Sequence, residues 1–286
     1  MGPMQFWRTI VFNLIIHINQ NRKNQVKSIC YFLIGVGLLM SHMATAQRTM
    51  FSSNNNYVAP AVPPVAPVTT GLILYLDANK SASYGGSGTT WNDISGQSPA
   101  GSATLVGNPP FASGSFTFGS NINAATSKTY TIDNEITYIA WVNPSQAQST
   151  FTGVIFRRTS SDGGGTGMFI SGNNLHYDWD NQKWDWRSGL IVPNNQWSMI
   201  VLSVKESELT AYLCNSSGII SDSRGNGHNS LTSKGATNFH IGYDPYDLSN
   251  RAFRGKMGTA MVYSVGLSTA DITTIFNAQK AAFGIN

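Results

Sequence analysis

From Gly71 onward the sequence is cut into short apolar runs by clusters of Gly, Asn, Ser and Asp. The runs include LILYL (72–76), SFTF (115–118), ITYIAWV (136–142), GVIFRR (153–158), GMFI (167–170), NLHYDW (174–179), WSMIVLSV (197–204), LTAYL (209–213), NFHIG (238–242) and KMGTAMVYSV (256–265). Most have the length of a strand and many alternate. Within 136–142, Ile136, Tyr138, Ala140 and Val142 share one face, and Thr137, Ile139 and Trp141 share the other. Many short strands with turn residues between them predict an antiparallel sandwich or barrel. One helix is expected, near the C-terminus. Ser268 can cap it, Asp271 suits its N-terminal dipole, Ile272, Ile275 and Phe276 form a stripe, and Gly284 follows.

Charge removes several function classes. Only 11% of residues are charged, well below the roughly 25% of an average domain, which excludes a coiled coil or a charged disordered tail. The net charge of +4 is also unevenly placed. Residues 1–46 hold Arg8, Arg22, Lys23 and Lys27 and no acid; without these four, 14 basic residues face 14 acidic ones. The remainder has no field to gather phosphates, so no nucleic-acid partner is expected.

The first 46 residues read as a leader. A basic stretch at Arg22, Lys23 and Lys27 precedes an apolar run from Ile29 to Met40, and Ala44-Thr45-Ala46 then forms a signal-peptidase site. The run is short of the roughly 20 residues that span a bilayer. Export to the periplasm, cell surface or exterior is expected, with no membrane association after cleavage. Residues 47–70 contain Asn54-Asn55-Asn56 and APAVPPVAPVTT, a stiff polyproline-like spacer. Cys30 falls in the leader and leaves Cys214 alone, so no internal disulfide is expected.

Several segments, in shared order, carry a family resemblance: GLILYLDANKSASYGGSGTTWNDISGQ (71–97), AWV (140–142), SGLIVPNNQWSMIVLSV (188–204), AYL (211–213), FHIGYDP (239–245) and FRGKMGTAMVYSVGLSTADITTIFNA (253–278). Together they resemble the bacterial laminin-G-like, concanavalin A-like lectin/glucanase jelly-roll domains, and the likeness runs from about Gly71 to Phe283. The resemblance implies a domain over 71–286: two stacked antiparallel sheets of six or seven strands each and a short C-terminal helix. It also implies glycan binding on the concave face or edge loops, often with Ca2+ nearby. Relatives commonly place an acidic pair where this chain has Gly258 and Thr259, so a calcium at the closing strand does not carry over.

Two stretches hold the candidate binding residues. HYDWDNQKWDW (176–186) combines Tyr177, Trp179, Trp184 and Trp186 with Asp178, Asp180 and Asp185, and Arg187 follows. Indole rings stack on sugar C–H faces while carboxylates accept from hydroxyls, and a hairpin of alternating Trp and Asp supplies both. The same alternation would equally serve to bury one face in the core. In GYDPYDLSNR (242–251), Tyr243 and Tyr246 could stack, and Asp244, Asp247 and Asn250 offer oxygen ligands suited to Ca2+. Turn formation alone gives the same string.

Enzymatic patterns are sparse. A retaining glycosidase needs two carboxyl groups about 5 Å apart. Glu135 begins a strand, Glu206 and Glu208 flank a turn, and no E-x-D-x-x-E string exists. A lyase would need a base beside a neutralising cation, and His176, Tyr177 and Arg187 are the nearest set. The glycine run SDGGGTG (161–167) opens no helix and reads as a hairpin tip. The expectation is therefore a secreted, non-catalytic sugar-binding module. A structural or adhesive surface domain with a cell-surface protein partner is the alternative, and a lyase or hydrolase comes after both.

Overall fold

The computed structural model of the protein describes residues 66–132, 135–158, 165–179, 184–225 and 234–286. The expected leader and most of the spacer lie outside them. In chain order the strands are β1 (Leu72–Asp77), β2 (Thr90–Trp91), β3 (Ala103–Val106), β4 (Phe111–Ala112), β5 (Ser115–Phe118) and β6 (Asn123–Thr126). Next come β7 (Tyr130–Ile132), β8 (Ile136–Pro144), β9 (Gln148–Arg158), β10 (Gly165–Gly172), β11 (Asn174–Trp179) and β12 (Trp184–Ile191). The last six are β13 (Ser198–Val204), β14 (Glu208–Asn215), β15 (Gly218–Gly225), β16 (Lys234–Thr237), β17 (His240–Ile241) and β18 (Gly255–Tyr263). A helix, α1 (Thr269–Gln279), and a 3-10 turn (Lys280–Phe283) close the chain.

Among the described residues the strands form two eight-stranded antiparallel sheets and a small β16–β7 ribbon. The first sheet runs β15-β14-β13-β8-β18-β5-β4, with β1 also paired to β18, and the second runs β12-β11-β10-β9-β17-β6-β3-β2. This is the expected two-sheet sandwich. Each sheet exceeds six or seven strands because the two-residue pieces β2, β4 and β17 add to it.

Strand β8 shows why the sequence alternates as it does. Ile136, Tyr138, Ala140 and Val142 enter the core between the sheets, with Leu74, Trp91, Phe116, Tyr177 and Phe239. Ile139 and Trp141 face the other way, into a second apolar layer with Tyr75, Met199, Met261, Ile272, Ile275 and Phe276. Helix α1 covers this outer face of the first sheet, so β8 is apolar on both sides.

Ser268 caps α1 reciprocally: its side chain accepts from the Asp271 backbone, and the Asp271 carboxylate accepts from the Ser268 backbone. The Trp141 ring stacks on Phe283 at 4.2 Å and donates its N–H to Gln279 Oε1 at 2.7 Å. Residues 66–70, the last of the expected spacer, pack on this same side: Ala66 is buried and Val68 O accepts from the Tyr263 hydroxyl at 3.1 Å. Cys214 is a buried free thiol that its apolar surroundings push up to about 12, as expected of a small core residue.

Candidate functional site

Helix α1 covers the outer face of the first sheet, and among the described residues no helix covers the outer face of the second. The register identifies its residues. Leu175, Tyr177 and Trp179 of β11 point into the core, so His176 and Asp178 lie on the outer face. On β12, Trp186 and Leu190 enter the core while Asp185 and Arg187 face outward. The β9 residues Phe156 and Arg158 share that outer face.

Loop 242–253 lies across β9. Gly242 N donates to Val154 O, Gly153 N donates to Arg251 O, and Phe253 N closes the loop on Gly242 O. The crossing is so close that a Cβ on Gly153 would collide with the Tyr243 and Asp244 backbone. Glycine there is a condition for the loop to lie flat on the sheet.

This contact brings together residues 86 positions apart. The Arg158 guanidinium donates through Nε and Nη2 to both oxygens of Asp244, each at 2.9 Å. Arg251 Nη1 donates to Asp244 Oδ2 at 2.7 Å, and Tyr246 N donates to Asp244 Oδ1 at 3.1 Å. Asp244 is 1% exposed. Aromatic rings close around the cations: Arg251 lies 4.4 Å from the Tyr246 centroid and 4.8 Å from that of Phe151, and Arg158 lies 5.3 Å from Tyr246.

Tyr246 is 50% exposed and Phe151 37% exposed. Phe151 holds φ 58, a left-handed conformation that costs a bulky residue about 1–3 kcal/mol. The chain thus maintains strain at a half-exposed ring beside Arg251.

Across the sheet, Asp178 and Asp185 are direct cross-strand partners on the same outer face. His176 Nδ1 lies 3.5 Å from Asp185 Oδ1. Beside the loop, His240 shares a 2.6 Å hydrogen bond with the Tyr243 hydroxyl, and burial depresses the imidazole to about 4. It is the packed, hydrogen-bonded histidine expected of its place in a strand.

Several expected roles are corrected. Tyr177, Trp179 and Trp186 are buried in the core between the sheets and offer no ring to a ligand, because alternation turned that side of the hairpin inward. Burial also holds the Tyr177 hydroxyl well above its ordinary range. Asp178 is buried on the outer face and Asp185 is partly exposed there. Asp180 lies outside the described residues, and of Trp184 only its backbone pairing with Trp179 is described.

Arg187 is outward and donates to Asn174 Oδ1 at 2.6 Å. The imagined lyase set is split by the sheet, with His176 and Arg187 outside and Tyr177 inside. Tyr243 is a packed ring, and of the two candidate tyrosines Tyr246 is the displayed one.

Both aspartates expected to hold calcium are engaged within the chain. Asp244 is neutralised by guanidinium groups. Asp247 accepts from the backbone N–H groups of Ser249 and Asn250 and from both their side chains, and these bonds hold its carboxyl near 2. Among the described residues no group of three His, Cys, Asp or Glu converges as a metal site.

Sequence reading missed Phe151, Phe156, Arg158 and Arg251. Phe151 precedes the apolar run at 153–158, Phe156 lies inside it, and the two arginines stand far apart in the chain, so none gives a local signal.

Comparison with known proteins agrees with this architecture. The sequence profile of the concanavalin A-like lectin/glucanases superfamily matches residues 113–273, more than half of the chain. A comparison with curated proteins finds no match. Among solved structures, domain 4 of AbnA, a GH43 extracellular arabinanase from Geobacillus stearothermophilus in complex with arabinotriose, is similar. It is 17% identical, with TM-score 0.54, 71% of this chain covered and 97% of that one. Trypanosoma rangeli sialidase in complex with sialic acid is 15% identical at TM-score 0.55, over 86% of this chain and 39% of that one. The binding domain of botulinum neurotoxin DC in complex with SialylT is 13% identical at TM-score 0.52, over 74% and 52%. At these identities the likeness is one of fold.

Proposed function

As this chain belongs to the concanavalin A-like lectin/glucanases superfamily, we propose that it is an exported, non-catalytic carbohydrate-binding module whose ligand rests on loop 242–253. One observation carries the reading: the half-exposed Tyr246 ring is pinned over the Arg158–Asp244–Arg251 cluster, with Phe151 beside Arg251. A ring already held in place gives up little freedom when a sugar stacks on it. Support also comes from the AbnA domain, of which this chain covers 97% and whose solved complex holds arabinotriose.

The test is binding of the full chain to a glycan array, followed by affinity electrophoresis in polysaccharide gels. Tyr246→Ala should weaken retention by about tenfold, the order of one lost aromatic contact, while the chain still unfolds cooperatively with a melting temperature lowered by only a few degrees. Wild-type protein that binds no glycan favours the structural or adhesive alternative.

Asp178 and Asp185 support a second reading, hydrolysis. Cross-strand neighbours on one face have Cβ atoms about 5 Å apart, close to the carboxyl spacing of a retaining glycosidase. Their environments also differ, one buried and one partly exposed, as a proton donor and a nucleophile require. Release of reducing ends by the wild type, abolished in Asp185→Asn, would move the assignment to an enzyme.

A further inference from the structure

Resting on the reading of loop 242–253 as the sugar-contacting surface, we infer that the ligand carries a carboxylate, a uronate or sialate residue, received by Arg251. The Arg158 and Arg251 guanidiniums both donate to the Asp244 carboxylate. The paired donation from Arg158 already matches one cation with both oxygens of that acid, the geometry a guanidinium fork prefers. Arg251 joins through Nη1 alone, which leaves its Nε and Nη2 donors to a partner outside the chain.

Three further observations fit an anion at Arg251. Its side chain is 20% exposed. Its guanidinium sits between the Phe151 and Tyr246 rings, so the planar fork is held before a ligand arrives. The nearest loop acid, Asp247, does not compete, because its carboxylate is turned into its own turn by Ser249 and Asn250. Among the described residues the other outer-face acids, Asp178 and Asp185, stand on β11 and β12, two and three strands from β9. At about 4.8 Å per strand that is roughly 10–14 Å, beyond the screening length of ordinary buffer.

A neutral sugar would leave this fork facing water, whereas a sugar carboxylate would occupy it while the ring rests on Tyr246. Titration calorimetry on the full chain tests this with matched pairs: trigalacturonate against its carboxyl-reduced form, and sialyllactose against lactose. The acidic member of at least one pair should bind about tenfold tighter, with the gap shrinking as salt is raised. Which pair responds separates uronate from sialate. Arg251→Gln should reduce the acid-to-neutral ratio to near one, and Arg251→Lys should retain part of it. The pairs on the unaltered chain decide the matter even where a variant folds poorly. Equal or tighter binding of the neutral members overturns the inference and leaves the sugar-binding reading standing, whereas binding of none overturns both.

Discussion

Removing the Asp244 carboxylate would take from Arg158, whose side chain is 1% exposed, both acceptors of its paired donation. Removing one partner of a buried ion pair costs about 3–5 kcal/mol. Asp244→Ala should therefore lower the unfolding free energy of the full chain, read from urea titration, by that amount. A shift under 1 kcal/mol would show that the network is not what holds the loop. His240 sets a pH dependence of its own. Burial keeps it neutral in the fold to about pH 4, while the unfolded chain takes up the proton near pH 6.5. The unfolded state then binds more protons in that window, so stability is full above about 6.5 and declines as pH falls toward 4. Unfolding midpoints from pH 7 to 4 should show this slope for the wild type and a shallower one for His240→Gln.

At the scale of elements, the loop and β9 form one unit because Gly153 lets their backbones touch. Gly153→Ala drives a methyl group into the Tyr243 and Asp244 backbone, so it should destabilise the chain by about 1–3 kcal/mol and weaken glycan retention alongside. Retention at the wild-type level would mean that the loop does not contact the ligand. The same pairing shows what the sequence could and could not reveal. Helix α1 was legible, since Ser268, Asp271 and the Ile272–Ile275–Phe276 stripe are local signals. Strand β8 was legible as a two-faced strand for the same reason. The Trp/Asp hairpin was legible as a hairpin, but alternation does not say which face turns inward, and Trp179 and Trp186 went to the core. The Arg158–Asp244 pair was invisible because its separation of 86 residues is a product of the crossing itself. The exposure of Tyr246 was legible because an aromatic in a turn-rich string needs no partner to be noticed.

For the molecule as a whole, α1 is part of the sandwich. It seals an apolar layer that includes Tyr75, Ile139, Trp141, Met199 and Met261. A chain ended at Val265 would expose that layer as a contiguous hydrophobic patch, and such patches drive association. Size-exclusion chromatography with light scattering should find it aggregated. A monomeric truncated chain that keeps the wild-type melting temperature would show the helix to be an appendage. Ala66 and Val68 also lie under this sealed side, while Tyr246 stands on the opposite one. On the sugar-binding reading proposed above, a polymer can therefore lie broadside on the Tyr246 face without meeting residues 66–70.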